Sequence, residues 1–402
     1  MSQPPSSRVD AFVRTQQAQP VKPAAGVIIR PEHDEVWTHA RVERLPVWID
    51  GGTVVLGDGS LLMMREGQVC TSRDNGQSWQ TRPMWPDGSV PAARHGCMFR
   101  CASGTLLLLY LDMATRRFEW DNEAHTLASE PRLHVALTRS TDDGRTWSPP
   151  ATLCQGYCGC VLQVIQMRGG RLVAPLQQML PDPWRHVQAT FVSDDEGLTW
   201  GKSNLIDIGG HGHHDGCFES VVAEIADERL WMLLRTNLDR FWQAFSDDAG
   251  LSWRTILPTD IDASSAPANL LRLAGGRLMM VWNRQYPQGI TEQEKAQWEG
   301  AGGDLNICHR RSSWHRRELS LAFSDDDGAH WTDPIVIARG RQISYPFLLE
   351  RHPGEVWIST QFGPKVSLRL FERDFADLPA TRPTGPAADP RHTPRVRFDV
   401  YR

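Results

Sequence analysis

Glu219 and Arg235 stand sixteen positions apart in ESVVAEIADERLWMLLR, at the outer ends of two largely apolar runs separated by a turn. Folded as a β-hairpin, this segment brings its ends together, so a carboxylate and a guanidinium meet at one end of a sheet. A surface salt bridge would satisfy the same pair. Just ahead of Glu219, HGHHDGC holds His211, His213 and His214, followed by Asp215. Imidazoles at that density suit acid–base work or substrate contact, whereas a metal would need ligands converging from one short loop, and a solvated loop is the plain alternative. Tyr345 opens a further apolar run, SYPFLL, and is one of only five tyrosines in the chain, so its place at a strand entry carries weight against simple packing.

What positions these residues is a repeat. One octet recurs five times: SRDNGQSW (72–79), STDDGRTW (140–147), SDDEGLTW (193–200), SDDAGLSW (246–253) and SDDDGAHW (324–331). In each, an Asp can accept from the backbone N–H groups of a tight turn, Gly supplies a positive φ, and Trp packs back between neighbouring sheets. A second repeat, a turn followed by a strand of bulky apolar residues, occurs six times, at 57–64, 102–109, 168–175, 226–233, 274–281 and 352–359. Repeats of this kind mean a repeat architecture; counted one to a blade they give six blades of the β-propeller that the resemblance given below implies, all-β and a single domain. We read the propeller over 41–375, an N-terminal arm over 1–40 and a proline-rich tail over 376–402. In an up-and-down blade the apolar-strand turn (strands 1–2) and the octet turn (strands 3–4) lie on one face. The long stretches 111–131 and 284–316, the latter with a helix-like TEQEKAQWEG, fall on the other, as do the entries to the innermost strands, 211–219 and 341–346. Function is expected on that second face.

These octets resemble the Asp boxes (BNR repeats) of sialidases, a resemblance spanning roughly residues 40 to 375. It implies roles for individual residues. Glu219 would activate a tyrosine nucleophile, Tyr345. Arg235 and Arg316, the latter eight residues before the serine of the fifth octet, would belong to the triad that grips a substrate carboxylate. Arg132 and Arg185 hold the same register before other octets, and Arg317 adjoins Arg316, so position alone does not select it. Arg44, in RLPVW, resembles the third arginine, with Arg94 in ARHGCMF as its rival. Tyrosine suits such a substrate because a neutral phenol is not repelled by the sugar carboxylate. The general acid departs from the family pattern: blade 1 reads LLMMREGQVCTSRDNG, with no room for an Asp-bearing loop, so Glu66 or, from the blade 2 stretch, Asp112, Asp121 or Glu123 would have to replace it. We expect Asp121 and His214 on the catalytic side and His213 and Asp215 as substrate contacts.

The resulting expectation is a retaining exo-glycosidase acting on a carbohydrate that bears a carboxylate, without cofactor or metal. The alternatives are a uronate lyase using Tyr and His, and a propeller that only binds glycan. A net charge of −5 excludes a broad basic footprint for nucleic acid. The polar, proline-rich N-terminal segment has no signal-like apolar stretch and no run of eighteen apolar residues follows, so a cytoplasmic, non-membrane protein is expected. The eight cysteines would then be reduced thiols; Cys154, Cys158 and Cys160 lie close together but lack the paired spacing of a zinc site.

Overall fold

Runs such as LLLLY (106–110) and LWMLL (230–234) are apolar at every position, which suits strands covered on both faces. Stacking blades radially supplies that cover. The computed structural model describes residues 36–385, apart from 48, 50, 89–92, 122, 125, 297–300, 303–311 and 363–365. Six antiparallel sheets of four or five strands form the blades, over 53–83, 93–154, 165–202, 217–262, 269–339 and 344–371. The first strands of blades 4, 5, 6, 1 and 2 touch in that order around the ring, and blade 3 meets the first strand of blade 4 through Leu172–Leu180 and Arg185–Ser193. The apolar clusters lie between blades; one joins Val281, Leu321 and Ile337 of blade 5 to Leu348, Ile358 and Leu368 of blade 6.

The octets close the third strand onto the fourth. In the third octet Asp195 accepts from the Thr199 N–H (2.8 Å) and hydroxyl (2.5 Å), Ser193 donates to Asp195 (2.8 Å), and the Gly197 N–H donates to Ser193 (2.8 Å). Gly197 has φ +81°, and a Cβ there would come within 2.9 Å of Leu107 in the preceding blade, so the turn is also an inter-blade contact. The fifth octet has His330 in place of Ser or Thr, and its Nδ1 meets Asp326 at 2.7 Å.

Blade 6 carries no octet because its fourth strand comes from the other end of the chain. Glu43–Arg44 pairs with Ser367–Phe371, and Trp37–Thr38 adds a fifth strand to blade 5 beside Ile335–Arg339. No hairpin exists there for an octet to hold. Strand pairing therefore passes the expected limits of 41 and 375, and Ala380–Pro383 pairs with His330–Thr332. The stretch 111–131 is less of a loop than expected: the second strand of blade 2 runs Leu106–Arg117, followed by a small hairpin of Trp120–Asp121 and Thr126–Leu127. The helix in 284–316 is Glu292–Ala296, capped by Thr291 and Glu294 in a reciprocal pair of hydrogen bonds. Among the described residues no helix is long and apolar enough to cross a membrane.

Candidate functional site

The hairpin of Cys217–Glu224 and Leu230–Thr236 sets Phe218 opposite Arg235. The Arg235 guanidinium stacks over the Phe218 ring at 4.2 Å, donates through Nη1 to Glu219 and to the Tyr345 hydroxyl (3.0 Å), and through Nη2 to Ser265 (3.0 Å). Tyr345, from the innermost strand of blade 6, donates its O–H to Glu219 Oε1 at 2.9 Å. Arg316, from the entry to the third strand of blade 5, donates through Nη2 to the Ser265 carbonyl (2.8 Å) and lies 5.5 Å over the Tyr345 ring. Glu219, Arg235, Arg316 and Tyr345, drawn from three blades, thus share one site.

Its electrostatics are unbalanced. Burial works against the charge on Arg235, but Glu219 and Tyr345 outweigh it and raise its pKa. For Arg316 burial wins and the pKa is lowered. Among the described residues Arg316 has no carboxylate within ion-pair distance, although it is only 6% exposed, and its Nε has no partner. Two arginines therefore face one carboxylate. Burial raises the Tyr345 phenol well above its usual range, with Glu219 adding to that shift and the two arginines opposing it, so the phenol is neutral with its proton directed at Glu219.

His213 and His214 lie beside this group, their Nδ1 atoms 2.7 Å apart. The His214 ring packs near Phe218 (6.5 Å) and Trp314 (6.0 Å), and the His213 ring near Phe118 (4.7 Å) and Trp120 (5.7 Å). Burial holds both pKa values down, that of His213 at about 3. The loop can make this approach because residue 216 is Gly: at φ +93°, a Cβ there would sit 2.1 Å from the His186 carbonyl oxygen. Asp215 spends its carboxylate on the loop, accepting from the His211 N–H (2.9 Å) and its neighbour Gly216 (2.8 Å). It braces the loop. Among the described residues no group of three or more His, Cys, Asp or Glu is placed to hold a metal ion.

Other expected residues fall elsewhere. Arg44 lies exposed on the outermost strand of blade 6, because the N-terminal segment closes that blade instead of entering the channel. Arg94 is on the innermost strand of blade 2, paired through its backbone with Leu111; its side chain lies outside the described residues. Asp121 is exposed and braces its own hairpin, accepting from the Glu123 (2.8 Å) and Ala124 (3.0 Å) N–H groups. Glu66 sits exposed in the tight turn between paired Arg65 and Gln68. Arg185, the rival of Arg316 by register, is neutralised by Asp207 through Nε at 3.0 Å.

Several site residues went unread. Ser265 and Asn237 tie the blades together, Ser265 donating to Asn237 Oδ1 at 2.5 Å, and Gln177 accepts from the Glu219 N–H at 3.1 Å. Phe362, 45% exposed, stacks 5.6 Å from Tyr345. The small-residue run DASSAPAN at the entry to blade 5 was the available signal for Ser265.

A family model described as a BNR repeat-like domain matches residues 68–358. Among solved structures, a protein of unknown function from Dyadobacter fermentans superposes with a TM-score of 0.55 at 14% identity, over 84% of this chain and 99% of its own. A Hadza microbial sialidase gives 0.51 at 19% identity, over 80% of this chain and 65% of its own. An intramolecular trans-sialidase from Ruminococcus gnavus, solved with oseltamivir carboxylate, gives 0.50 at 12% identity, over 83% and 95%. At these identities the likeness is one of fold.

Proposed function

Because this chain belongs to the BNR repeat-like domain family and shares its six-bladed fold with sialidases, we propose that it cleaves a glycoside bearing a carboxylate, with retention at the anomeric carbon. The observation that carries this reading is Arg316, a buried guanidinium with no carboxylate partner among the described residues, beside Arg235, Glu219 and Tyr345. A substrate carboxylate supplies the missing negative charge, and planar guanidinium groups match its geometry. The Tyr345 oxygen attacks the anomeric carbon while its proton passes to Glu219 Oε1, already 2.9 Å away. Arg235 Nη1, 3.0 Å from the same oxygen, stabilises the negative charge that develops on it. When water later releases the sugar, the proton returns from Glu219 to the departing tyrosine oxygen.

The test is an aryl sialoside followed by proton NMR, in which the first sugar formed should keep the substrate's anomeric configuration. Tyr345→Phe should bind sugar within a few-fold of the parent yet lose about 10³-fold or more in kcat, because only the reacting oxygen is gone. An inverted product, or a Phe variant that retains turnover, excludes the tyrosine mechanism. A second reading, a uronate lyase, is favoured by the pair of neutral histidines beside the arginines. It predicts an unsaturated, ultraviolet-absorbing uronate product. Neither product over a broad glycan panel would leave a binding propeller.

A further inference from the structure

The reaction proposed above needs a proton on the leaving oxygen; of the acidic residues expected to give it, Asp112 accepts from the Ala114 N–H and Asp121 from its own hairpin, while Glu66 and Glu123 are exposed at turns. The Nδ1 atoms of His213 and His214 approach to 2.7 Å. At that distance one proton lies between them, so one ring carries Nδ1–H and the other must offer a bare Nδ1. The rings are therefore opposite tautomers: one Nε2 is an acceptor while the other carries a hydrogen. A second proton between the two Nδ1 atoms would set two N–H groups against each other.

The placement of the pair is directional. His214 packs near Phe218 and Trp314, the same two rings over which Arg235 (4.2 Å) and Arg316 (4.7 Å) stack. His213 is the outer member, against Phe118 and Trp120 of the blade 2 hairpin. Both backbones are pinned. The His214 carbonyl accepts from Asn237, whose Oδ1 accepts from Ser265, whose Oγ accepts from Arg235. The His213 carbonyl meets His186 Nε2 at 2.7 Å.

We propose, on the hydrolytic reading above, that His214 is the proton donor to the leaving oxygen and that His213 relays the proton to it. As the glycosidic C–O bond breaks, the His214 Nε2 proton passes to the leaving oxygen. The His213 Nδ1 proton crosses to His214 Nδ1, and His213 Nε2 takes a proton from water. Both rings start and finish neutral with their tautomers exchanged. In the second step the attacking water gives its proton to His214 Nε2, the shared proton returns to His213, and the His213 Nε2 proton goes back to solvent. The device works without an imidazolium, in keeping with the burial that holds both pKa values down.

The test compares two sialosides, one releasing a nitrophenol, which departs with little help, and one releasing a sugar alcohol, which needs a proton. His214→Asn keeps an amide near the Nδ1 position and removes Nε2. Its loss in kcat/KM should be at least about 100-fold larger on the sugar aglycone than on the nitrophenyl one. His213→Asn should shift the same ratio in the same direction, less steeply. In the unsubstituted protein, nitrogen-15 NMR of the imidazoles should show opposite tautomers sharing one far-downfield proton, which vanishes in either variant. Parallel losses on both substrates in an active, folded protein overturn the histidine role and leave the Tyr345 reading standing. Two rings of the same tautomer overturn the relay. A parent protein that releases neither aglycone, with the shared proton present, removes the hydrolytic reading and this assignment with it.

Discussion

Arg316→Met separates a binding role from a structural one by the sign of two effects. Methionine retains an unbranched chain of similar reach but no charge. In the free protein Arg316 is 6% exposed, donates to the Ser265 carbonyl at 2.8 Å and lies near the rings of Trp314 (4.7 Å), Phe362 (5.4 Å) and Tyr345 (5.5 Å). Against the loss of one charge-assisted hydrogen bond stands relief from a buried cation that has no carboxylate within ion-pair distance among the described residues. The first is worth roughly 1.5–3 kcal/mol, and the second is of similar size or larger, so the melting temperature should stay level or rise. Binding of a sugar carboxylate should fall, because removing one member of a desolvated charge pair costs roughly 2–5 kcal/mol. That corresponds to about 30- to 5,000-fold in Kd. Calorimetric titration with N-acetylneuraminic acid, run beside differential scanning calorimetry of both proteins, measures the two quantities. Affinity within about threefold of the parent, or a melting temperature several degrees lower, would refute the claim that Arg316 is held charged for a ligand.

Two further outcomes follow from other parts of the molecule. Asp195→Ala, which removes the acceptor for Ser193, Leu198 and Thr199 in the third octet, should cost about 1–3 kcal/mol of stability with KM of the folded protein unchanged; a stable variant that loses activity would place that turn at the site. His186 is 4% exposed, and burial lowers its pKa from 6.5 to about 4. The unfolded chain then binds the extra proton first, so its contribution is fully present above pH 6.5 and is lost as pH falls toward 4. The loss is roughly 3 kcal/mol, and His186→Gln should flatten that part of the stability–pH curve; an unchanged slope from pH 7 to 4 would exclude it.

The propeller was legible because its signals are local. The Ser and Asp of each octet make their turn hydrogen bonds within eight residues, and each apolar strand declares itself in one run, so counting the runs yields six blades. The closure of the ring was not legible, since two-residue strands at Trp37–Thr38 and Glu43–Arg44 find their partners some three hundred residues away, where no local pattern marks them. Arg44 was misplaced for that reason. Asp121 looked like an available acid, but in the fold its carboxylate turns back onto the N–H groups of Glu123 and Ala124. Arg316 and Arg185 share a register before their octets, and what separates them is Asp207, a residue that no spacing rule ties to either.

The convergence of Glu219, Arg235 and Tyr345 was inferred from strand ends, yet regular strands would not deliver it. Phe218 is paired with Arg235, so in an undistorted ladder those two side chains share a face and Glu219 points to the opposite one. Likewise Ser344 is paired with Phe362, which should send Tyr345 away from that phenylalanine. Both alternations are broken at the residue in question. Glu219 has φ +50° and Tyr345 φ +56°, and of the non-glycine residues with positive φ these two fall inside strands rather than turns. At Glu219 the ladder also shifts register, between Phe218 and Val221. Each such backbone costs of order 1–3 kcal/mol, which a strand with no task would avoid by regular pairing. The distortion turns Glu219 back to the face that carries Arg235 and brings Tyr345 onto Phe362, so that carboxylate, phenol and guanidinium meet within hydrogen-bond distance. Because Glu219 already holds two partners in this way, the proposed reading assigns the substrate carboxylate to the guanidinium that Glu219 does not neutralise, that of Arg316.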